Sequence, residues 1–488
     1  MRLAARVVCG ALLAFGFSLA RADDIALYKA EIGYNSLITR LASESQPLPT
    51  GAGVSVMQVE APMSSTKYLP DTSSGELLGE PVTAKNGTGG GPSSHATTVG
   101  RNFYGNTSSI APQIASVAAY NANDYLNNSY LRVLAATGPY VDPNPPKVQN
   151  FSFIVYSFTS SPPYSAADIG NDLLRRFDYV IKRDNSIAVV AVGNSTAMPQ
   201  ALAGSYNSIA VGMSDATSSI GPTTIDGAGR SKPDIVAPGK FPYATPSSSY
   251  AAPKVSAAAA LLVETGNNLT SNSTDAVMAE TIKAVLLTGA TKDSLPSWSH
   301  TDTQPLDHQY GAGLLNVDNS HRILTAGEHE ASNSSLVPST GWDYGAIDAA
   351  GTKNYFFDIG SSFALDQLSI TATWLRDIAI TDGAGIAGSA LLTPSLANLD
   401  LKLYSATGFT PNSLLAQSVS TVDNVEHIFL KDLPAGRYMI SLTSNQAWNF
   451  GLAWDAQVSP IPEPSAWVLW LIGVGTLAAI RLRGRKPL

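Results

Sequence analysis

Hydrophobic patterning divides the chain into two regimes. Between residues 51 and 330, short apolar runs alternate with helical stretches. The runs at 53–59, 147–153, 186–192 and 208–211 are close to continuously apolar, as strands buried on both faces are. Between the second and third of them, Leu173, Leu174, Phe177, Val180 and Ile181 fall on one stripe, which predicts a helix over 164–183. An Ala- and Leu-rich run over 257–264 predicts another, fed by a loop at 247–256. Strands alternating with helices imply an α/β fold, a parallel sheet with helices on both faces. From 335 to 457 the helical pattern stops. Short strand-like runs at 355–359, 368–374, 399–404, 427–430, 437–442 and 450–454, separated by Gly, Pro and Asn, predict an antiparallel β-sandwich.

The two ends carry different signals. Arg2 and Arg6 precede an apolar run at 7–19 and the small-x-small triplet Ala20-Arg21-Ala22, which reads as a signal peptide over 1–22, cut before Asp23. Residues 23–50 follow as an amphipathic helix at 25–42 and a Pro-rich linker, too short for a separate folding domain. At the other end, Pro462-Glu463-Pro464 precedes a 16-residue apolar run, 465–480. Trp467 and Trp470 lie at its start, and Arg481, Arg483, Arg485 and Lys486 follow it. Interfacial Trp and a basic flank predict a transmembrane helix with its C-terminus inside.

These ends also mask the charge of the body. The net charge is −8, with 30 basic and 38 acidic residues. Removing Arg2, Arg6, Arg21 and the four closing cations leaves 23 basic residues, or −15, which argues against a nucleic-acid partner. The one cysteine, Cys9, falls in the signal peptide, so the exported chain offers no disulfide and no thiolate ligand or nucleophile. The acidic residues form no recognisable calcium loop. No cofactor or metal is required, and structural calcium stays open.

Candidate chemistry sits at the ends of the predicted strands. Glu60 closes the first strand before a Pro turn, where parallel sheets deliver functional groups. His95 opens a predicted helix after the Gly-rich stretch 86–91. Gly193-Asn194-Ser195 closes the 186–192 strand, and Ser247-Ser248-Ser249 stands at a helix mouth. Each has an ordinary reading as well: a solvated Glu, a structural His, an αL turn, a helix cap. Taken together, they supply an acid, a base, an amide donor and a nucleophile.

In this order the segments resemble those of the subtilisin-like serine proteases. Residues 54–61 are similar to that family's acid strand, 95–100 to its His helix, 150–152 to its substrate-edge strand and 192–194 to its oxyanion turn. Residues 232–239 are similar to its Lys-Pro-Asp segment, 247–255 to its nucleophile motif and 310–316 to its closing segment. The resemblance covers 51–330. It implies a serine endopeptidase in which Ser249 attacks, His95 is the base and Glu60 orients it. Asn194 and the Ser249 N–H would hold the oxyanion, and Asn150, Phe151, Ser152, Phe153 and Ile154 would line the substrate site.

The chain also departs from the pattern. Glu60 stands where the family has Asp, Ser247-Ser248 where it has Gly-Thr, Lys254 where it has His, and Phe153-Ile154 where it has Leu-Gly. These departures keep an alternative open, a catalytically silent matrix or binding protein of the same fold displayed at the cell surface. Residues 335–457 resemble jelly-roll accessory domains, for which polysaccharide binding and stabilisation of the catalytic domain are both open roles. Residues 460–488 resemble a PEP-CTERM sorting tail. That resemblance implies a two-membrane bacterium, signal peptidase and exosortase as processing enzymes, transient inner-membrane anchoring, and a destination in the envelope or outside the cell.

Overall fold

A computed structural model of the chain describes residues 24–461, apart from 65, 74, 86–89, 156–157, 196–200 and 243. Its first half is built on seven parallel strands: β1 (Ser55–Glu60), β2 (Val82–Ala84), β3 (Ser116–Asn121), β4 (Val148–Phe151), β5 (Ile187–Ala191), β6 (Ile209–Met213) and β7 (Ile235–Ala237). The sheet order is β2-β3-β1-β4-β5-β6-β7. Successive residues of β1 face opposite sides. Val56 joins the core beneath the helix Ser248–Asn267, whereas Met57 and Val59 pack with Phe177 and Val180 of the helix Ala166–Asp184. Gln58 and Glu60 share the side of Val56 and bring polar groups into it.

Two of the strands lack a sequence signal. β2 has three residues and no buried side chain. β3 is Ser-Val-Ala-Ala-Tyr-Asn, in which alanine favours helix, and only its place beside β1 makes it a strand.

The helix expected from Ala257 begins earlier, at Ser248, with Ser247 as its cap, and it contains Pro253. Proline has no N–H for the carbonyl four residues back, that of Ser249. The Ser152 hydroxyl donates to this carbonyl instead, at 2.9 Å. The N-terminal stretch forms helices at 24–31 and Tyr34–Ser43. Tyr28, Ile32, Leu37 and Leu41 belong to the main core. Glu264 accepts the N–H groups of Thr50, Gly51 and Ala52 and so holds the linker down.

Two four-stranded antiparallel sheets follow. The first has the order 340–347, 448–460, 363–373, 425–433, and the second 352–359, 436–444, 399–407, 410–418. Their inner faces share one core, with Trp374 and Trp454 fully buried. The first sheet lies directly on the helix Ala279–Gly289. A Cβ on Gly451 would come within 2.6 Å of the Glu280 backbone, so only glycine permits this approach. The Thr373 hydroxyl donates to the Glu280 carbonyl at 2.8 Å. Arg376 reaches into the first domain. Its Nε donates to Asp178 at 2.8 Å, and Nη1 pairs with Asp226 at 2.7 Å.

The expected transmembrane helix is corrected. Among the described residues no helix is long and apolar enough to cross a membrane, and 465–480, like the signal peptide 1–22, lies outside them. The physical reason is length: sixteen helical residues rise about 24 Å, short of a hydrocarbon core of roughly 30 Å.

Candidate active site

Strand β1 and the helix Ser94–Phe103 bring Glu60 and His95 together. Ser93 caps that helix through Ala96 N–H at 3.0 Å, which sets His95 in its first turn. His95 Nδ1 lies 2.7 Å from Glu60 Oε2. Glu60 is 1 % exposed, and its other oxygen accepts from Gln58 Nε2 at 3.0 Å. Gln58 is itself fixed, because Nε2 also donates to the Ala96 carbonyl at 2.9 Å and Oε1 accepts from the Tyr104 hydroxyl. The acid is thus held from both sides. The Tyr250 ring covers the imidazole, with ring centres 5.8 Å apart.

The candidate nucleophile Ser249 and the Gly193-Asn194 turn meet at the mouth of the Ser248–Asn267 helix. Asn194 Oδ1 accepts from Ser248 N–H at 2.8 Å and from its hydroxyl at 2.9 Å. Gly193 N–H donates to the Ser248 hydroxyl oxygen at 3.1 Å. Asn194 Nδ2 donates to Ser247 Oγ at 3.0 Å, and Ser249 N–H donates to that same oxygen at 3.1 Å. Ser249 Oγ donates to the Ser152 carbonyl at 3.3 Å. Among the described residues no hydrogen bond joins Ser249 Oγ to His95 Nε2.

The five residues expected at the substrate site divide by face. Asn150 and Phe151 lie in β4, which is paired on both sides, by β1 and β5. Asn150 Nδ2 donates to Ser152 Oγ at 2.8 Å, and its Oδ1 accepts from Ser256 Oγ at 3.0 Å, which ties strand to helix. Phe151 and Phe153 pack into the opposite core, and Ile154 is half-buried. The other histidines lie elsewhere, with His300 and His427 around Trp298 and His321 against Arg40. Among the described residues no group of three or more His, Cys, Asp or Glu could hold a metal ion.

Sequence reasoning missed Gln58, Tyr104 and Tyr250. The available signal for Gln58 was a polar residue two positions before Glu60 in an apolar strand, hence on the same face.

Burial alone would lower the His95 pKa, but the Glu60 carboxylate overcomes this and raises it above the ordinary 6.5. A neutral imidazole is needed to accept a proton, so with His95 as the candidate base for Ser249, reactivity there is expected to fall away on the acid side at a midpoint above 6.5. The pH dependence of the rate of covalent labelling at Ser249 measures this limb. A midpoint below 6.5 would contradict it. The sign for stability is the reverse: the contribution of protonated His95 is full below the ordinary value and lost as pH rises through the raised one.

Residues 93–313 match the family model of the subtilase family. That segment is a subtilase-family domain. Residues 460–486 match the PEP-CTERM protein-sorting motif, which indicates export and sorting to the envelope or extracellular space. No curated protein matches the chain. Among solved structures, one titled as proteases from Pseudoalteromonas arctica PAMC 21717 is 14 % identical over 57 % of this chain and 91 % of its own, with a TM-score of 0.34. A second, titled as a cold adapted subtilisin-like serine proteinase, is 15 % identical over 55 % and 90 %, with a TM-score of 0.35. Neither likeness gives a role to any residue of the subtilase domain.

Proposed function

We propose that the chain is an exported serine endopeptidase acting through Ser249, His95 and Glu60. The observation that carries this reading is the 2.7 Å contact between Glu60 and His95, with Gln58 holding the acid's second oxygen. In this scheme His95 Nε2 takes the Ser249 proton as Oγ attacks a peptide carbonyl, then returns it to the leaving amine. Glu60 keeps the Nδ1–H tautomer and stabilises the imidazolium. Asn194 Nδ2–H and Ser249 N–H receive the oxyanion. The Ser152 carbonyl releases the Ser249 hydroxyl when it turns toward His95. The substrate is a protein or peptide, and the C-terminal motif implies cleavage of the tail by an exosortase. The β-sandwich acts as a stabilising partner of the subtilase domain, because Gly451, Thr373 and Arg376 bind it into that domain.

The second reading, a silent subtilase-fold surface protein, draws on one observation, the absence of a Ser249–His95 hydrogen bond among the described residues. The test is labelling of the purified full chain with a fluorophosphonate, with mass spectrometry to locate the adduct and Ser249→Ala as control. An adduct on Ser249 that is lost in the variant supports the protease. A folded chain that takes up no probe at Ser249, whatever residue occupies position 247, supports the silent protein.

A further inference from the structure

Ser247 Oγ receives two donors, from Asn194 Nδ2 at 3.0 Å and from Ser249 N–H at 3.1 Å. The second bond is what any Ser at a helix N-cap makes. The first is not: it comes from a different loop, and Asn194 is aimed there because Ser248 holds its Oδ1 through two hydrogen bonds. The meeting point lies within the 2.7–3.1 Å at which oxyanion donors sit from the charge they stabilise. These are the same two donors that the proposed mechanism assigns to the oxyanion.

We propose that Ser247 is a built-in occupant of the oxyanion hole, a hydroxyl that must rotate out before a carbonyl oxygen can enter. This inference rests on the protease reading above. Two further features agree with it. The Ser247 backbone is extended, at φ −154 and ψ 141, so a serine sits there without strain and the side chain alone needs to turn. Asn194 is exposed, so this donor is reachable from the surface, while the Ser249 N–H beside it is buried. The Ser249 hydroxyl is meanwhile engaged by the Ser152 carbonyl, so both halves of the site rest in a non-reacting arrangement.

The test compares fluorophosphonate labelling of Ser249 in the full chain with that in Ser247→Gly and Ser247→Ala, alongside thermal unfolding. The phosphonyl oxygen of the probe needs the same two donors. Ser247→Gly is expected to raise the second-order labelling rate about tenfold, the order of one net hydrogen bond no longer lost on entry. Ser247→Ala is expected to raise the rate too while lowering the Tm, because alanine caps poorly. A serine that only capped the helix would move rate and Tm together. A wild type that labels as fast as both variants overturns the proposal and leaves the protease reading standing. Folded variants that take no label, like the wild type, overturn both. A wild type that stays unlabelled while Ser247→Gly labels supports both.

Discussion

Replacing Glu60 with Gln is expected to slow reaction at Ser249 by about 10⁴-fold with little change in fold. The reason is the direction of each hydrogen bond. Gln58 cannot turn its amide round, because Nε2 donates to the Ala96 carbonyl and Oε1 accepts from Tyr104. Its N–H therefore points at residue 60 and demands an oxygen there. A glutamine at 60 would give its oxygen to Gln58 and its NH₂ to His95 Nδ1. That nitrogen must then accept, so the imidazole proton moves to Nε2, and the base can no longer take the serine's proton. Glu60→Asp is expected to cost about 100-fold despite being the residue typical of the family. The strand holds the backbone at the distance a glutamate spans, and aspartate falls short by one methylene. Labelling rates for the two variants, with thermal unfolding as control, decide the matter. An aspartate variant faster than wild type would contradict this account of the site.

Arg376→Ala is expected to destabilise the chain by about 3–5 kcal/mol. The Arg376 guanidinium is buried and serves Asp178, which is fully buried, together with Asp226. Its backbone N–H also donates to Asn207 Oδ1 at 2.7 Å, which fixes the strand end against the subtilase domain. Without the cation two carboxylates stay in the interface with less compensation. Burial pushes the Asp226 pKa up, but Arg175 and Arg376 outweigh it and hold the carboxyl below the ordinary 3.8. A lowered pKa contributes stability above the unfolded value and loses it as pH falls through the folded one. The deficit of the variant should therefore be full near neutrality and shrink below about pH 4. Urea unfolding at several pH values measures both, and a deficit that is unchanged at low pH would exclude the charge explanation.

The parts of the site that were legible in the sequence are those whose chemistry is local. Glu60 closes an apolar strand, His95 opens a helix, Asn194 follows a Gly at a strand end, and Ser249 stands at a helix mouth. Position relative to an element is a one-dimensional property. Gln58 lies in the same strand, but its role depends on Ala96 and Tyr104, which other elements bring to it. Ser247 reads as a cap because one of its two bonds is a cap. The second arises only when the β5 turn folds against the helix. The same limit explains Arg376, which sits between strands with no partner nearby in the sequence, while Asp178 is about two hundred residues away. The sandwich was read from short strand-like runs separated by Gly, Pro and Asn, but its attachment was not, since a glycine at 451 looks like any other until the Glu280 backbone lies beside it.

The strand Trp448–Pro460 lies between 340–347 and 363–373 within its sheet, and together with 363–373 it meets the Ala279–Gly289 helix. A ribosome or a translocation channel releases this strand after every other described element. The covering of the helix by the sandwich is therefore completed only when residue 460 is free. A chain halted before this point lacks the strand whose Gly451 lies against the Glu280 backbone, so that part of the interface stays open.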